Sequence, residues 1–339
     1  MLGSLYAVIA AIIAFGVTAL LGIWMIPFLH RVKFGQTIRE VGPAWHKNKQ
    51  GTPTMGGIMF IVGTAAAVMV CIPLYTCNLG QETMLATIRV LSGLIMAVAM
   101  GIVGFMDDFI SIRKHRNLGL TEIQKLILQF VIAGAYLFSV YLAGGSSSTY
   151  IPFLGMTDLG PIYYILAALL IVGMVNAVNF TDGIDGLNAT VTFAVCTCLM
   201  VCAFIMQYYG MAIFAAAAAG ACIGFLVWNF NPAKVFMGDT GSLFLGGVVC
   251  AIAFGLNIPV LLILFGIIYV AEIVSVVLQV TYFKASHGKR LFKMAPIHHH
   301  FEMCGRGQNM RGIWLNQRCS RSCRYIDCNE RYNIDIYIK

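Results

Sequence analysis

The chain has 339 residues, 59% of them hydrophobic and only 11% charged, with a formal net charge of +8 and a mean hydropathy of +0.83. Soluble domains carry roughly 25% charge, so this composition excludes a soluble enzyme and indicates one integral membrane domain. The positive balance suits topology and anionic lipid headgroups; nucleic acid is a poor reading of it.

At roughly 20 apolar residues per bilayer crossing, the sequence predicts an all-α polytopic bundle of about nine transmembrane helices. They lie near residues 4–29, 55–77, 90–106, 123–143, 161–178, 189–206, 211–228, 242–256 and 258–282. The last two are separated only by a break from Gly255 to Pro259. Residues 1–29 lack a basic n-region and run too long for an h-region, so they read as a retained span and not as a cleavable signal. Apart from Arg89, every Lys and Arg follows the first, third, seventh or last span. Cytoplasmic loops keep basic residues, which predicts an N-terminus outside and chemistry on the cytoplasmic side. The opposite loop, Gly144 to Gly160, carries no cation.

The first cytoplasmic loop ends in Trp45-His-Lys-Asn-Lys49-Gln-Gly51-Thr-Pro-Thr54-Met-Gly-Gly57, whose lysines before a Gly/Thr/Pro turn suit phosphate. Asp107 and Asp108 end the third span. Paired acids at the hydrocarbon edge are costly without a cation or shared proton, and at a helix C-terminus they oppose the dipole, which marks them as functional candidates. Between the fifth and sixth spans stands Asn179-Phe-Thr-Asp182-Gly-Ile-Asp185-Gly-Leu-Asn188. Asp182 can cap the next helix, but capping leaves Asp185 and two glycines unexplained. Asn231 to Ser242 then leads into the eighth span through Phe236, Gly238 and Asp239. A glycine-bearing helix start offers N–H groups to phosphate, and Asp239 beside it suits a divalent metal.

Glu272, deep in the last span, is expected to hydrogen-bond a neighbouring span. His298, His299 and His300 follow that span. Consecutive residues do not converge on one metal, but imidazoles can meet phosphate oxygens or tune a neighbouring acid. Seven of the 11 cysteines lie in or beside apolar spans and read as small hydrophobes. Carboxylates, lysines and glycine turns at one membrane edge point to metal-assisted phosphoryl chemistry on a lipid.

The runs Gly51 to Gly57, Asp107-Asp108, Asn179 to Leu187, Val235 to Ser242 and Lys289 to Glu302 resemble the phospho-N-acetylmuramoyl-pentapeptide transferase family. The resemblance covers about residues 1–303. It implies a multi-pass protein of the bacterial inner membrane, with the active site facing the cytoplasm. The implied reaction moves phospho-MurNAc-pentapeptide from UDP-MurNAc-pentapeptide to undecaprenyl phosphate and releases UMP, with Mg²⁺. Asp239 is the implied metal ligand, and Asp107, Asp108, Asp239 and the histidine triplet the implied catalytic set. Substrate contacts are implied at Lys49, Thr54, Asn179, Asp182, Asp185, Asn229, Phe236 and Gly238. A homodimer is open to such a chain. The family has a tenth helix, whereas Cys304 to Lys339 is basic, cysteine-rich and without a span. A frameshifted 3′ end produces such a tail, and its four cysteines are too irregularly spaced for zinc. Two alternatives are a related polyprenyl-phosphate GlcNAc-1-phosphate transferase and a secondary transporter or flippase. Transporters place coupling residues near the bilayer midplane on repeated broken helices, unlike the edge clusters here.

Overall fold

The computed structural model describes residues 2–32, 51–77, 83–113, 119–142, 145 and 147–304, with only the backbone of 83–86. Lys49 and the tail after Cys304 lie outside the described residues. The elements are α1 Leu2–Arg31, α2 Gly57–Cys77, α3 Thr83–Arg113, α4 Glu122–Leu142, β1 Ser148–Ile151, β2 Gly155–Asp158, α5 Ile162–Phe180, α6 Leu187–Ile205, α7 Tyr209–Asn229, α8 Gly238–Gly255, α9 Pro259–Phe265, α10 Ile267–Ala285 and α11 Ile297–Met303. Among the described residues, 9 helices are long and apolar enough to cross a membrane.

Two helices form the centre. In α8 every residue from Thr240 to Gly255 is buried, and α7 buries an unbroken run from Gly210 to Cys222. Small side chains explain the depth, because the alanines Ala215 to Ala219 let flanking helices approach α7 closely. α1, α2 and α6 pack around α7, while α3 and α5 pack on α8. Trp228 of α7 donates to the Ala19 carbonyl of α1 at 3.0 Å, and the Phe60 ring of α2 meets Phe225 edge-on at 5.0 Å. α4 and α10 lie at the rim; Ile123, Val131, Ile267 and Val277 are exposed, as suits faces turned to lipid.

The architecture departs from the sequence expectation in four places. α3 continues to Arg113 instead of ending near 106, so Asp107 and Asp108 sit inside the helix and do not oppose its terminus. The apolar run stops near residue 106, but the helix continues beyond it to Arg113. The expected last span, 258–282, is two helices broken at Gly266, whose N–H bonds the Leu262 carbonyl at 2.8 Å. A Cβ on Gly266 would stand 2.9 Å from that same oxygen, so continuous apolarity conceals a backbone corner. The cation-free loop folds into a β1–β2 antiparallel hairpin that pairs Thr149 with Thr157 and Tyr150 with Met156. Finally, the histidine triplet lies in α11, a helix too short for a hydropathy window to reveal.

The site-bearing ends converge on one face. α3 brings Asp107 and Asp108, α5 carries Asn179 one residue before its end at Phe180, and α8 begins at Gly238 with Asp239 in its first turn. α3 approaches α8 through Gly104, where a Cβ would stand 2.1 Å from the Asp239 carbonyl oxygen. The N-terminus is at the other end of the bundle, since Gly3 abuts Tyr209 at the start of α7 while Asn229 closes α7 beside the acids.

Candidate active site

Lys125 organises the cluster. It stands in the first turn of α4, and its Nζ contacts Asp107 Oδ2 at 3.0 Å and Asp239 Oδ2 at 2.8 Å. The two carboxylates belong to different helices and are joined by one ammonium. Asp107 Oδ1 also accepts from the Leu120 N–H at 2.7 Å, so both of its oxygens are occupied. Asp239 Oδ1 accepts from Asn179 Nδ2 at 3.0 Å, and the same amide group donates to Ser242 Oγ at 2.8 Å. Sequence reasoning used Lys125 only as an orientation mark. The available signal was its place in the first turn of a helix, where a cation opposes the macrodipole and so needs another reason to be there.

Asp108 does a different job from its neighbour. Its Oδ1 accepts from Asp239 N–H at 3.3 Å, and its Oδ2 accepts from Thr240 N–H at 2.9 Å and from Thr240 Oγ1 at 2.6 Å. These are otherwise orphaned donors of the α8 N-terminus, so Asp108 caps that helix from another one. Gly238, the first residue of α8, stands at φ +70°. A Cβ there would stand 2.5 Å from Asp108 Oδ2 and 2.7 Å from Thr54 Oγ1. The Thr54 hydroxyl is buried and has no partner among the described residues.

The loop before α8 is held on two sides. Phe236 N–H donates to Pro53 O and Gly56 N–H donates to Phe236 O, both at 2.8 Å, pairing the Gly-Thr-Pro-Thr run with the α8 approach. The Phe236 ring is left half-buried. Asn229 is buried and bridges two backbones, accepting from Gly186 N–H at 3.0 Å and donating to Val235 O at 2.8 Å. Asp185 Oδ2 accepts from Asn231 Nδ2 at 3.1 Å and from Ala233 N–H at 3.2 Å. Asn229 and Asp185 are thus cross-braces of this cleft wall. Burial of its carboxyl, followed by the charges of Asp239, Asp108 and Asp185, pushes Asp182 up to about 8.

The histidines diverge, as successive residues of a helix must. His298 turns inward, where its Nδ1 meets Glu272 Oε2 at 3.0 Å. His299 Nδ1 meets Glu302 Oε2 at 3.1 Å, and His300 Nδ1 accepts from Lys293 N–H at 3.1 Å. Glu272 therefore anchors α11 instead of bonding a neighbouring span as expected. Of the triplet, His298 is the one packed on the Asp182–Asp185 loop, at Gly183.

Among the described residues no group of three or more His, Cys, Asp or Glu is placed to hold a metal by itself. Mg²⁺ does not need such a cage, since it takes one or two carboxylates, waters and substrate phosphates. The hard carboxylates of the half-buried Asp239 and the buried Asp107, already bracketing a cation at Lys125 Nζ, fit that donor chemistry.

Convergent acids joined by an ammonium beside a capped helix start at one end of a membrane bundle suit a polytopic membrane transferase. A profile of glycosyl transferase family 4 matches residues 90–257, a range that holds Asp107, Lys125, Asn179 and Asp239. The phospho-N-acetylmuramoyl-pentapeptide-transferase signature 1 matches residues 49–61. The chain is 47% identical over 299 residues to the phospho-N-acetylmuramoyl-pentapeptide-transferase of Clostridium perfringens strain SM101, covering 88% of each protein. It is 44% identical over 300 residues to that of Bacillus mycoides, covering 88% of this chain and 89% of the relative. With that of Heliobacterium modesticaldum it shares 46% over 298 residues, covering 87% and 89%. The chain belongs to the phospho-N-acetylmuramoyl-pentapeptide-transferase family.

Proposed function

We propose that this chain transfers phospho-MurNAc-pentapeptide from UDP-MurNAc-pentapeptide to undecaprenyl phosphate, making the first lipid-linked peptidoglycan precursor and releasing UMP. The observation that carries the reading is the Lys125 ammonium between the Asp107 and Asp239 carboxylates at the open face of the bundle. In the reaction a lipid phosphate oxygen bonds the sugar-bearing phosphorus, the bond to the UMP phosphate breaks, and UMP leaves with the electron pair.

Such transfer needs alignment and charge neutralisation more than covalent help. The acceptor phosphate is largely ionised at neutral pH and attacks without a base. Asp107, with both oxygens engaged by Lys125 and Leu120, suits an organising role. Lys125 faces the phosphates, and Phe236 offers the uracil a stacking surface. Asp239, with Asp107 joined to it through Lys125, would hold Mg²⁺, which when bound would supply charge neutralisation to the substrate phosphates. Asp108 acts by fixing the helix that carries Asp239. The Lys and Arg distribution supports a cytoplasmic placement of this face in the bacterial inner membrane. With the N-terminus at the other end of the bundle, Leu2 then lies outside.

The test incubates detergent-solubilised chain with UDP-MurNAc-pentapeptide, undecaprenyl phosphate and Mg²⁺, and measures UMP with and without EDTA. Metal-dependent UMP that also requires the lipid phosphate is the expected result. UMP formed as readily without the lipid, or faster turnover of UDP-GlcNAc, would overturn the assignment.

A further inference from the structure

Two amides that the transfer chemistry does not use meet inside the apolar spans. Gln129 of α4 is 0% exposed, and its Oε1 accepts from Asn176 Nδ2 of α5 at 2.6 Å. The same Asn176 amide group donates to the Val172 carbonyl, one turn back, at 2.8 Å. Gln129 Nε2 is buried and has no partner among the described residues. The other buried residues of α4 are Ala133, Tyr136 and Leu137, a stripe whose end nearest the acids is Gln129.

Helical spacing connects this pair to the acids. Lys125 stands four residues before Gln129, and Asn179 three after Asn176, so each is the same-face neighbour of one amide. Lys125 Nζ holds Asp239 Oδ2 at 2.8 Å, and Asn179 Nδ2 holds Asp239 Oδ1 at 3.0 Å. One carboxylate is thus gripped from α4 and from α5, and one turn further along, the same two helices are tied by Gln129 and Asn176. Stability does not account for the tie. A polar contact between helices in lipid contributes little, whereas a buried donor left unpaired, as Gln129 Nε2 is, costs more than one such bond returns. α4 is a rim helix packed on α3 and α5, with four buried side chains to fix its height and rotation. We infer that Gln129 and Asn176 are positioning residues, whose hydrogen bond sets α4 against α5 so that Lys125 and Asn179 reach the two oxygens of Asp239 together.

Melting temperature and UMP release together separate positioning from mere packing. Q129L/N176L replaces both partners by apolar groups of similar shape and removes the unpaired donor, so it should melt at or above the temperature of the unsubstituted chain. Its kcat should nonetheless fall about tenfold, as when groups that orient a site's ligands are removed, with KM for the nucleotide donor little changed. An unchanged kcat, or a loss of kcat accompanied by a lower melting temperature, overturns the inference. In a K125M chain the same two substitutions should lose nothing further, because groups acting through one contact are not additive. An equal fold loss in both backgrounds overturns it as well. Q129N shortens the bridge by one methylene, and Q129N/N176Q restores its length from the other helix. The exchanged pair should recover most of the kcat that Q129N loses; an exchanged pair as slow as Q129N counts against the clamp.

The inference rests on the functional reading given above, and one measurement is independent of turnover. Acetylation of Lys125 by acetic anhydride, followed by peptide mass spectrometry, reports how firmly the ammonium is held. It should be several-fold faster in Q129L/N176L than in the unsubstituted chain, and slow again in Q129N/N176Q. Equal rates in all three overturn the clamp. Absence of UMP from the unsubstituted chain, with the acetylation rates as expected, would sink the functional reading and leave the clamp standing.

Discussion

Replacing Lys125 with methionine keeps most of the side chain's length and removes the charge that joins Asp107 to Asp239. At an effective dielectric of about 20, each contact of 2.8–3.0 Å amounts to about 6 kcal/mol of gross attraction. Desolvation offsets much of it, and deleting one partner of a buried ion pair costs about 3–5 kcal/mol in net terms. The Lys125 side chain is 16% exposed, which places the loss at the lower end, about 3 kcal/mol. Expressed on the transition state this is about a hundredfold in kcat. The direction for metal is opposite. With the ammonium gone, Asp239 Oδ2 no longer shares its charge, so half-maximal activation by Mg²⁺ should move to a lower concentration. The assay is UMP release against Mg²⁺ concentration for the unsubstituted chain and for Lys125→Met and Lys125→Arg, the arginine retaining charge with a bulkier fork. A methionine variant with unchanged kcat and unchanged Mg²⁺ dependence would refute the argument that Lys125 bridges the acids during turnover.

Asp239→Asn is expected to abolish transfer with little effect on membrane insertion; near-normal turnover at saturating Mg²⁺ would remove Asp239 from the metal site. Asp108→Ala orphans the Asp239 and Thr240 N–H groups and the Thr240 hydroxyl, so it should lose stability as well as activity, by about 1–3 kcal/mol. Activity lost with no change in melting would show that Asp108 is not the α8 cap. Asp182 holds its proton up to about 8 when folded and to about 4 when unfolded. Between those values the unfolded chain binds fewer protons, so stability falls as pH rises. In EDTA, Asp182→Asn should therefore gain in melting temperature relative to the parent from pH 5 to 8 and level off above; parallel curves would contradict this.

Much of the bundle was legible because hydropathy is a local property. The apolar runs located eight of the crossings closely enough to put their ends at the right face, and the acids fell at those ends. Where local reading failed, the cause was backbone or contact. The corner at Gly266 sits inside an uninterrupted apolar stretch, so no window average marks it. The hairpin at Ser148–Asp158 is short and carries no alternation strong enough to stand out from a loop. The histidine triplet was visible as a motif, but which ring faces the site follows from the 100° step of α11 against α10.

By itself the sequence determined that this is a multi-span membrane protein whose acids gather at one edge, and its motifs carry the family resemblance. Only the tertiary structure decided the roles within the cluster. Asp107 and Asp108 are adjacent and chemically identical, yet one is paired with Lys125 and the other caps α8. Asn229 and Asp185, whose motifs imply ligand contacts, also brace the loops of the cleft wall in the fold. The partners responsible lie far apart, 114 residues between Lys125 and Asp239 and 132 between Asp108 and Thr240. Burial of apolar surface acts residue by residue and can be summed along a chain, whereas hydrogen bonds and ion pairs depend on which helix ends the packing brings within about 3 Å.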